Sequence, residues 1–174
     1  MIICAGKSEQ FDFAIPVGIG LVEVAMNLTK LCLSQKPEFL FFVGTAGSYG
    51  EKKIFDIVES KTAVNIENSF FNAGAYTPLD NMISTAEDVS RETIVNSSNY
   101  ITTDESLAKN YLNKNIHLEN MEYFAVLKVA EAFGIPAAGV FIVTNYCNAK
   151  AHKDFIDNHN EAMTRLTTYV RKSK

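Results

Sequence analysis

The chain has 174 residues, 47% of them hydrophobic and 21% charged, with a formal net charge of −4. That length suits one compact domain over 1–174, and the apolar content suits one continuous core. The weak negative charge argues against nucleic acid and anionic membranes as partners.

The longest apolar runs, 39–43 and 137–143, fall far short of the roughly 20 residues needed to cross a bilayer. Residues 1–5 are apolar but Gly6, Lys7, Ser8 and Glu9 follow at once, leaving no signal-peptide core, so a cytoplasmic location is expected.

Stretches rich in β-branched and aromatic residues at 1–4 and 11–17 predict the first two strands. Leu21, Val24, Ala25, Leu28, Leu31 and Cys32 then recur at three- and four-residue spacing, which predicts a helix over 21–33. Strands follow at 39–43 and 54–66. Residues 67–92 are polar, lack a steady period and carry Asn, Gly, Pro and Asp, as loops do. A loop of that length acts as a lid or a pairing surface. A strand at 93–96, a helix at 104–112 capped by Thr103 or Asp104, and a strand at 116–119 come next. Phe124, Leu127, Ala130 and Phe133 predict a helix over 122–133, the run 137–144 a buried strand, and 152–170 a terminal helix with a charged outer face. Strands alternating with helices, several too apolar for a wet face, predict an α/β fold: a mixed, largely parallel sheet with helices on both faces.

Three cysteines, Cys4, Cys32 and Cys147, are odd in number and form no CxxC pair, as expected of reduced thiols. Cys147 with His152 is a conceivable nucleophile and base, although a small buried residue is the simpler reading. His117, His152 and His159 lack ligand spacing, so no metal and no cofactor are expected.

In layered α/β proteins ligands lie beyond the carboxyl ends of strands, and four segments there carry chemistry. Gly18-Ile19-Gly20 opens a helix whose first N–H groups suit an oxyanion, or it is only a tight turn. Gly44-Thr45-Ala46-Gly47-Ser48 reads as a small-residue loop with hydroxyls for a sugar or phosphate. Asn120-Met121-Glu122-Tyr123 sets a carboxylate at a helix start, where a plain cap is the alternative. Thr144-Asn145-Tyr146 ends a buried strand on an amide.

Together these segments resemble the purine nucleoside phosphorylase and methylthioadenosine/adenosylhomocysteine nucleosidase superfamily. The likeness runs over 13–59 and 93–155 through GIGLV, FFVGTAGSYG, NMEYFAVLKVAEAFGIP and VFIVTN, about two thirds of the chain. The resemblance implies an enzyme that cleaves the base–sugar bond of a purine nucleoside. Met121 and Glu122 would lie against the ribose, the carboxylate taking sugar hydroxyls and favouring the oxocarbenium-like transition state. Tyr100 would stack on the purine with Ile101 beside it, and Phe155 would close the pocket. Ile19, Gly20, Thr45 and Gly47 would contact sugar or nucleophile. Asn145 matches the base-recognising position, where asparagine in place of aspartate suits 6-oxopurines because an amide donates a hydrogen bond but delivers no proton.

The resemblance also implies departures. Between the first strand and 11–17 there is one short loop, where relatives have a helix and a hairpin. Glu9 resembles the glutamate that activates water in the nucleosidases, or is a solvated loop acid. Phosphate as co-substrate would need cationic groups, for which the candidates are Arg91 and Lys7, with Thr45 and the amides from Gly18. The leading expectation is phosphorolysis of a 6-oxopurine nucleoside. The alternatives are hydrolysis through Glu9 and a degenerate nucleoside-binding relative. A homo-oligomer is expected, with Phe70, Phe71 and Tyr76 of the 67–92 segment as the contact.

Overall fold

A computed structural model of the protein describes residues 1–172. In chain order the elements are β1 (Ile2–Cys4), β2 (Ile15–Pro16), α1 (Gly20–Gln35), β3 (Leu40–Ser48), β4 (Ile57–Ser60), β5 (Thr62–Val64) and β6 (Met82–Ser84). There follow β7 (Ile94–Ser97), α2 (Glu105–Leu112), β8 (Ile116–Asn120), α3 (Tyr123–Phe133), β9 (Ala137–Tyr146) and α4 (Ala151–Lys172). The strands form one mixed sheet in the order β2-β1-β3-β8-β7-β5-β6, with β9 alongside β3 and β4 on the far side of β9. β3 pairs in parallel with β1 and β9 and antiparallel with the end of β8. Among the described residues no helix is long and apolar enough to cross a membrane.

The sheet's centre is buried on both sides, which is why its strands read as continuous apolar runs. Phe42 and Phe141 pack with Tyr123 in the cluster covered by α1 and α3. Val43, Val140 and Ile142 pack under Ala162, Leu166 and Val170 of α4. Tyr123 is fully buried and its hydroxyl donates to the Ser60 carbonyl, which pins α3 to the end of β4.

The expected layering and the four helices are present, and three expected elements differ. Only Ile15–Pro16 of 11–17 is a strand. Phe11 and Phe13 instead pack together, ring centroids 5.2 Å apart, in the cluster under α4. Pro16 lacks an N–H and so belongs at the sheet edge that β2 forms. The expected strand at 54–66 divides at Lys61 because the Ser60 hydroxyl accepts from Thr62 N–H and donates to the Thr93 carbonyl. Its two halves pair with different neighbours, β4 with β9 and β5 with β6 and β7. The 67–92 segment is not all loop: β6 returns through it to pair with β5.

Candidate active site

The small-residue stretch after Val43 continues β3 as far as Ser48, with a bulge between Ala46 and Gly47. Glycine is a poor strand former, but here the absence of side chains is required. A Cβ on Gly44 would meet the Phe42 ring at 2.8 Å and Glu9 Oε2 at 3.1 Å. A Cβ on Gly47 would meet Asn145 Nδ2 and Cys147 Sγ, each at 3.0 Å. Tertiary approach of polar groups to the backbone therefore overrides local propensity.

A cleft of about 290 Å³ opens over this strand end, close to the smaller small-molecule sites of roughly 300–1,000 Å³. Its wall takes Glu9 from the loop after β1, Thr45 to Gly47 from β3, Met121 and Glu122 after β8, and Asn145 from β9. Ile19, Ile101 and Phe155 form its apolar rim. All but four of the residues expected at the site thus meet around one cleft or, for Gly20, bond a group on its wall.

Glu122 is 4% exposed and does not cap its own helix. Asn120 does that work, its side-chain oxygen accepting from the N–H groups of Glu122 (2.8 Å) and Tyr123 (2.9 Å) while its amide donates to the Thr45 carbonyl (3.2 Å). The Glu122 carboxylate is thereby free to accept from Gly20 N–H (3.0 Å) and Met121 N–H (3.2 Å). Burial, reinforced by the negative charge of Glu9, pushes its carboxyl from 4.5 up to about 7.

Glu9 is not a solvated acid. Its two oxygens accept from Thr45 N–H (2.9 Å) and Thr45 Oγ1 (2.5 Å), which fixes the carboxylate against β3. Asn145 is 7% exposed; its Oδ1 accepts from Thr144 Oγ1 (2.9 Å) and its Nδ2 donates to the Tyr146 carbonyl (3.2 Å).

The four residues that do not meet there are Tyr100, Gly18, Lys7 and Arg91. Tyr100 is 76% exposed and turned to solvent, while its neighbour Ile101 reaches the wall. Gly18 donates its N–H to the Ala5 carbonyl, and the next amides, Ile19, Gly20 and Leu21, donate to Glu23, Glu122 and Asn99. The start of α1 is therefore already satisfied by side chains, contrary to the expectation of free N–H groups. Lys7 is exposed outside the wall. Arg91 lies on a separate, larger cleft of about 490 Å³ with Lys52 and His117. There Arg91 pairs with Asp88 at 3.4 Å and Lys52 with Glu51 at 2.7 Å. That cleft holds no other residue expected at the site.

Sequence reasoning missed Glu119, which also lines the cleft at 6% exposure. It accepts from Thr102 N–H (2.8 Å), the Thr102 hydroxyl and Tyr49 OH (3.0 Å). Burial pushes its carboxyl up while those donors pull it back. Its strand, Ile116–Asn120, mixes polar and apolar residues and offers no pattern that singles the acid out. Cys147 is buried, and burial with the Glu119 charge raises its thiol well above the ordinary value, which disfavours a nucleophilic role.

The model of the phosphorylase superfamily matches residues 3–173. Among curated proteins no relative matches by sequence. Among solved structures, a mutant 5′-methylthioadenosine/S-adenosylhomocysteine nucleosidase of Helicobacter pylori with 5′-methylthioadenosine in its active site superposes with a TM-score of 0.82. It is 16% identical, with 98% of this chain and 95% of that chain covered. A futalosine hydrolase mutant of Helicobacter pylori gives 0.81 at 16% identity, covering 98% and 95%. The Streptococcus pneumoniae MTA/SAH nucleosidase with 8-aminoadenine gives 0.75 at 16% identity, covering 97% and 95%. The fold is thus that of these nucleosidases, and the family match over nearly the whole sequence places the chain in the phosphorylase superfamily.

Proposed function

We propose that the protein hydrolyses the N-glycosidic bond of a purine nucleoside, with Glu122 holding the sugar, Asn145 the base and Glu9 activating water. The observation that carries the hydrolytic reading is the wall itself: among the described residues no Lys or Arg lines the cleft, and the amides that would cradle phosphate already bond carboxylates or a carbonyl. A phosphate dianion there would face Glu9 and Glu122 with no lysine or arginine on the wall to offset them. A neutral water would not. The solved relatives crystallised with 5′-methylthioadenosine and 8-aminoadenine support the ligand class.

Glu9 takes a proton from water as its oxygen bonds to the anomeric carbon. The C–N bond breaks with its electron pair on the base, which Asn145 receives by a hydrogen bond and which then gains a proton from solvent. The positive charge that develops on the sugar is stabilised by ionised Glu122. Base release from inosine, guanosine and 5′-methylthioadenosine is expected at the same rate with and without phosphate. Glu9→Gln is expected to slow it by about 10²- to 10⁴-fold. A rate that requires phosphate would move the case to phosphorolysis.

Self-association is proposed as well. Tyr76 is 93% and Phe70 48% exposed on the 67–92 segment, whereas Phe71 packs edge-on against Tyr111 at 4.7 Å. Molar mass in solution checks it, and a monomer at micromolar concentration would exclude it.

A further inference from the structure

The face that α4 turns to the sheet is an apolar stripe at Ala162, Leu166 and Val170, packed with Val43, Val140 and Ile142. One and two turns nearer the cleft the same face carries Asn158, His159 and Phe155 instead. Polar side chains on an inward helix face cost stability unless they are used, and Asn158 and His159 each bond one main-chain carbonyl. Asn158 Nδ2 donates to the Thr144 carbonyl at 2.9 Å. His159 Nε2 bonds the Ser8 carbonyl at 2.9 Å. Thr144 directly precedes Asn145, and Ser8 directly precedes Glu9.

Neither carbonyl is an ordinary ladder acceptor. Ala46 and Gly47 of β3 stand opposite Val143 and Asn145 of β9, so Thr144 is the extra residue of the bulge. An extra residue reverses the alternation of side chains beyond it, and here it decides which face of the sheet Asn145 takes. Asn158 holds the carbonyl of that extra residue. Ser8 lies in a tight turn closed by Gly6 N–H to the Glu9 carbonyl (3.3 Å) and by Glu9 N–H to the Gly6 carbonyl (3.0 Å), with Lys7 at φ 54°. The Ser8 carbonyl takes no part in that closure, and His159 holds it.

We propose that Asn158 and His159 are a pair of positioning residues: Asn158 fixes the bulge that aims Asn145 at the base, and His159 fixes the turn that presents Glu9 to water. A single turn of α4 thereby sets both ends of the reaction in register. The proposal rests on the nucleoside-cleaving reading above and adds to it two residues that do not line the cleft.

The ring of His159 supports it. A carbonyl only accepts, so Nε2 carries the ring hydrogen and Nδ1 is a bare lone pair. Nδ1 is buried and has no partner among the described residues. A ring kept only to pack on Phe155, 5.0 Å away between centroids, would be better as phenylalanine, which strands no nitrogen. The orphaned nitrogen is tolerated for the bond that the other nitrogen makes to Ser8.

The experiment uses three variants and separates kcat from KM. His159→Phe keeps the ring and removes the donor, His159→Gln keeps a donor, and Asn158→Leu keeps the volume and removes the donor. With inosine, His159→Phe is expected to lower kcat by roughly 10- to 100-fold and to change KM by less than about twofold, because Glu9 acts on water and not on binding. His159→Gln is expected to recover most of that loss. Asn158→Leu is expected to raise KM, and the calorimetric Kd for hypoxanthine or adenine, by about 5- to 10-fold. Amide exchange reads the same geometry without turnover. Thr45 N–H donates to Glu9 at 2.9 Å, so it is expected to exchange slowly in the wild type and about tenfold faster in His159→Phe, with the Val126 amide of α3 unchanged.

Rapid exchange of Thr45 in the wild type overturns the proposal before any variant is made. A fall in kcat and a rise in KM in the same proportion for His159→Phe and Asn158→Leu also overturns it, since a merely structural helix contact would act in that way. So does a kcat in His159→Gln no higher than in His159→Phe. A wild type that cleaves no nucleoside refutes the hydrolytic function instead. Acceleration of Thr45 confined to His159→Phe and loss of base affinity confined to Asn158→Leu would then sustain the positioning roles, and the absence of either would overturn them.

Discussion

Glu122→Gln separates what the fold wants at this position from what catalysis wants. The Glu122 carboxyl is raised from 4.5 to about 7 in the folded protein. A group raised in this way contributes stability that is fully present below its unfolded value and lost as pH climbs through its folded value. One pH unit of displacement corresponds to about 1.4 kcal/mol, so ionising Glu122 in the empty site costs the fold about 3 kcal/mol in all. Roughly 2 to 3 kcal/mol of that loss falls between about pH 5 and about pH 8.

Glutamine cannot ionise, and with one oxygen for the Gly20 and Met121 donors it forfeits a hydrogen bond worth about 1 kcal/mol at every pH. Urea unfolding at about pH 5 and about pH 8, without nucleoside, is expected to show the variant gaining on wild type by roughly 2 to 3 kcal/mol over that interval. Turnover is expected to fall by about 10²- to 10³-fold. Parallel stability profiles for the two proteins would refute the reading of Glu122 as a desolvated carboxylate.

The remaining predictions concern the floor and its support. Gly47→Ala pushes a methyl into the Asn145 amide and the Cys147 thiol. It is expected to raise KM for the nucleoside about tenfold and to cost about 1–3 kcal/mol of stability; unchanged KM would mean that Asn145 does not touch the base. Tyr123→Phe removes the donor to the Ser60 carbonyl. It is expected to cost about 1–2 kcal/mol in denaturant titration with kcat unaltered, and a fall in kcat would place Tyr123 in the chemistry.

Much of the fold was legible because its signals are local. The three- and four-residue spacing around Val24 and Leu28 marks α1, the apolar run of β9 marks a strand covered on both sides, and Asp104 caps α2 as its position suggests. What was not legible depends on partners distant in sequence. Gly44 to Ser48 has loop composition, and it becomes strand because Glu9 and Asn145 need the space above its glycines. Glu9 looks like any loop acid until Thr45, far along the chain, supplies two donors to it. The expected phosphate contacts failed for the complementary reason: whether Gly18 and Gly20 have free N–H groups depends on the Ala5 carbonyl and Glu122, which composition does not reveal. Glu119 escaped notice since a single acid inside a strand has no period or motif to announce it.

β3 serves the molecule twice. Its first half is the spine on which α3 and α4 stack from opposite sides, and its last residues are the floor of the cleft. Inheritance cannot easily separate these duties, for a change at Gly44 or Gly47 that admitted a new substrate would also collide with Phe42 or Cys147. Descendants of this sequence would diversify along the rim, where Ile19, Ile101 and Phe155 are only partly covered and can be exchanged without disturbing the spine. A fixed floor and an adjustable mouth follow from that single strand.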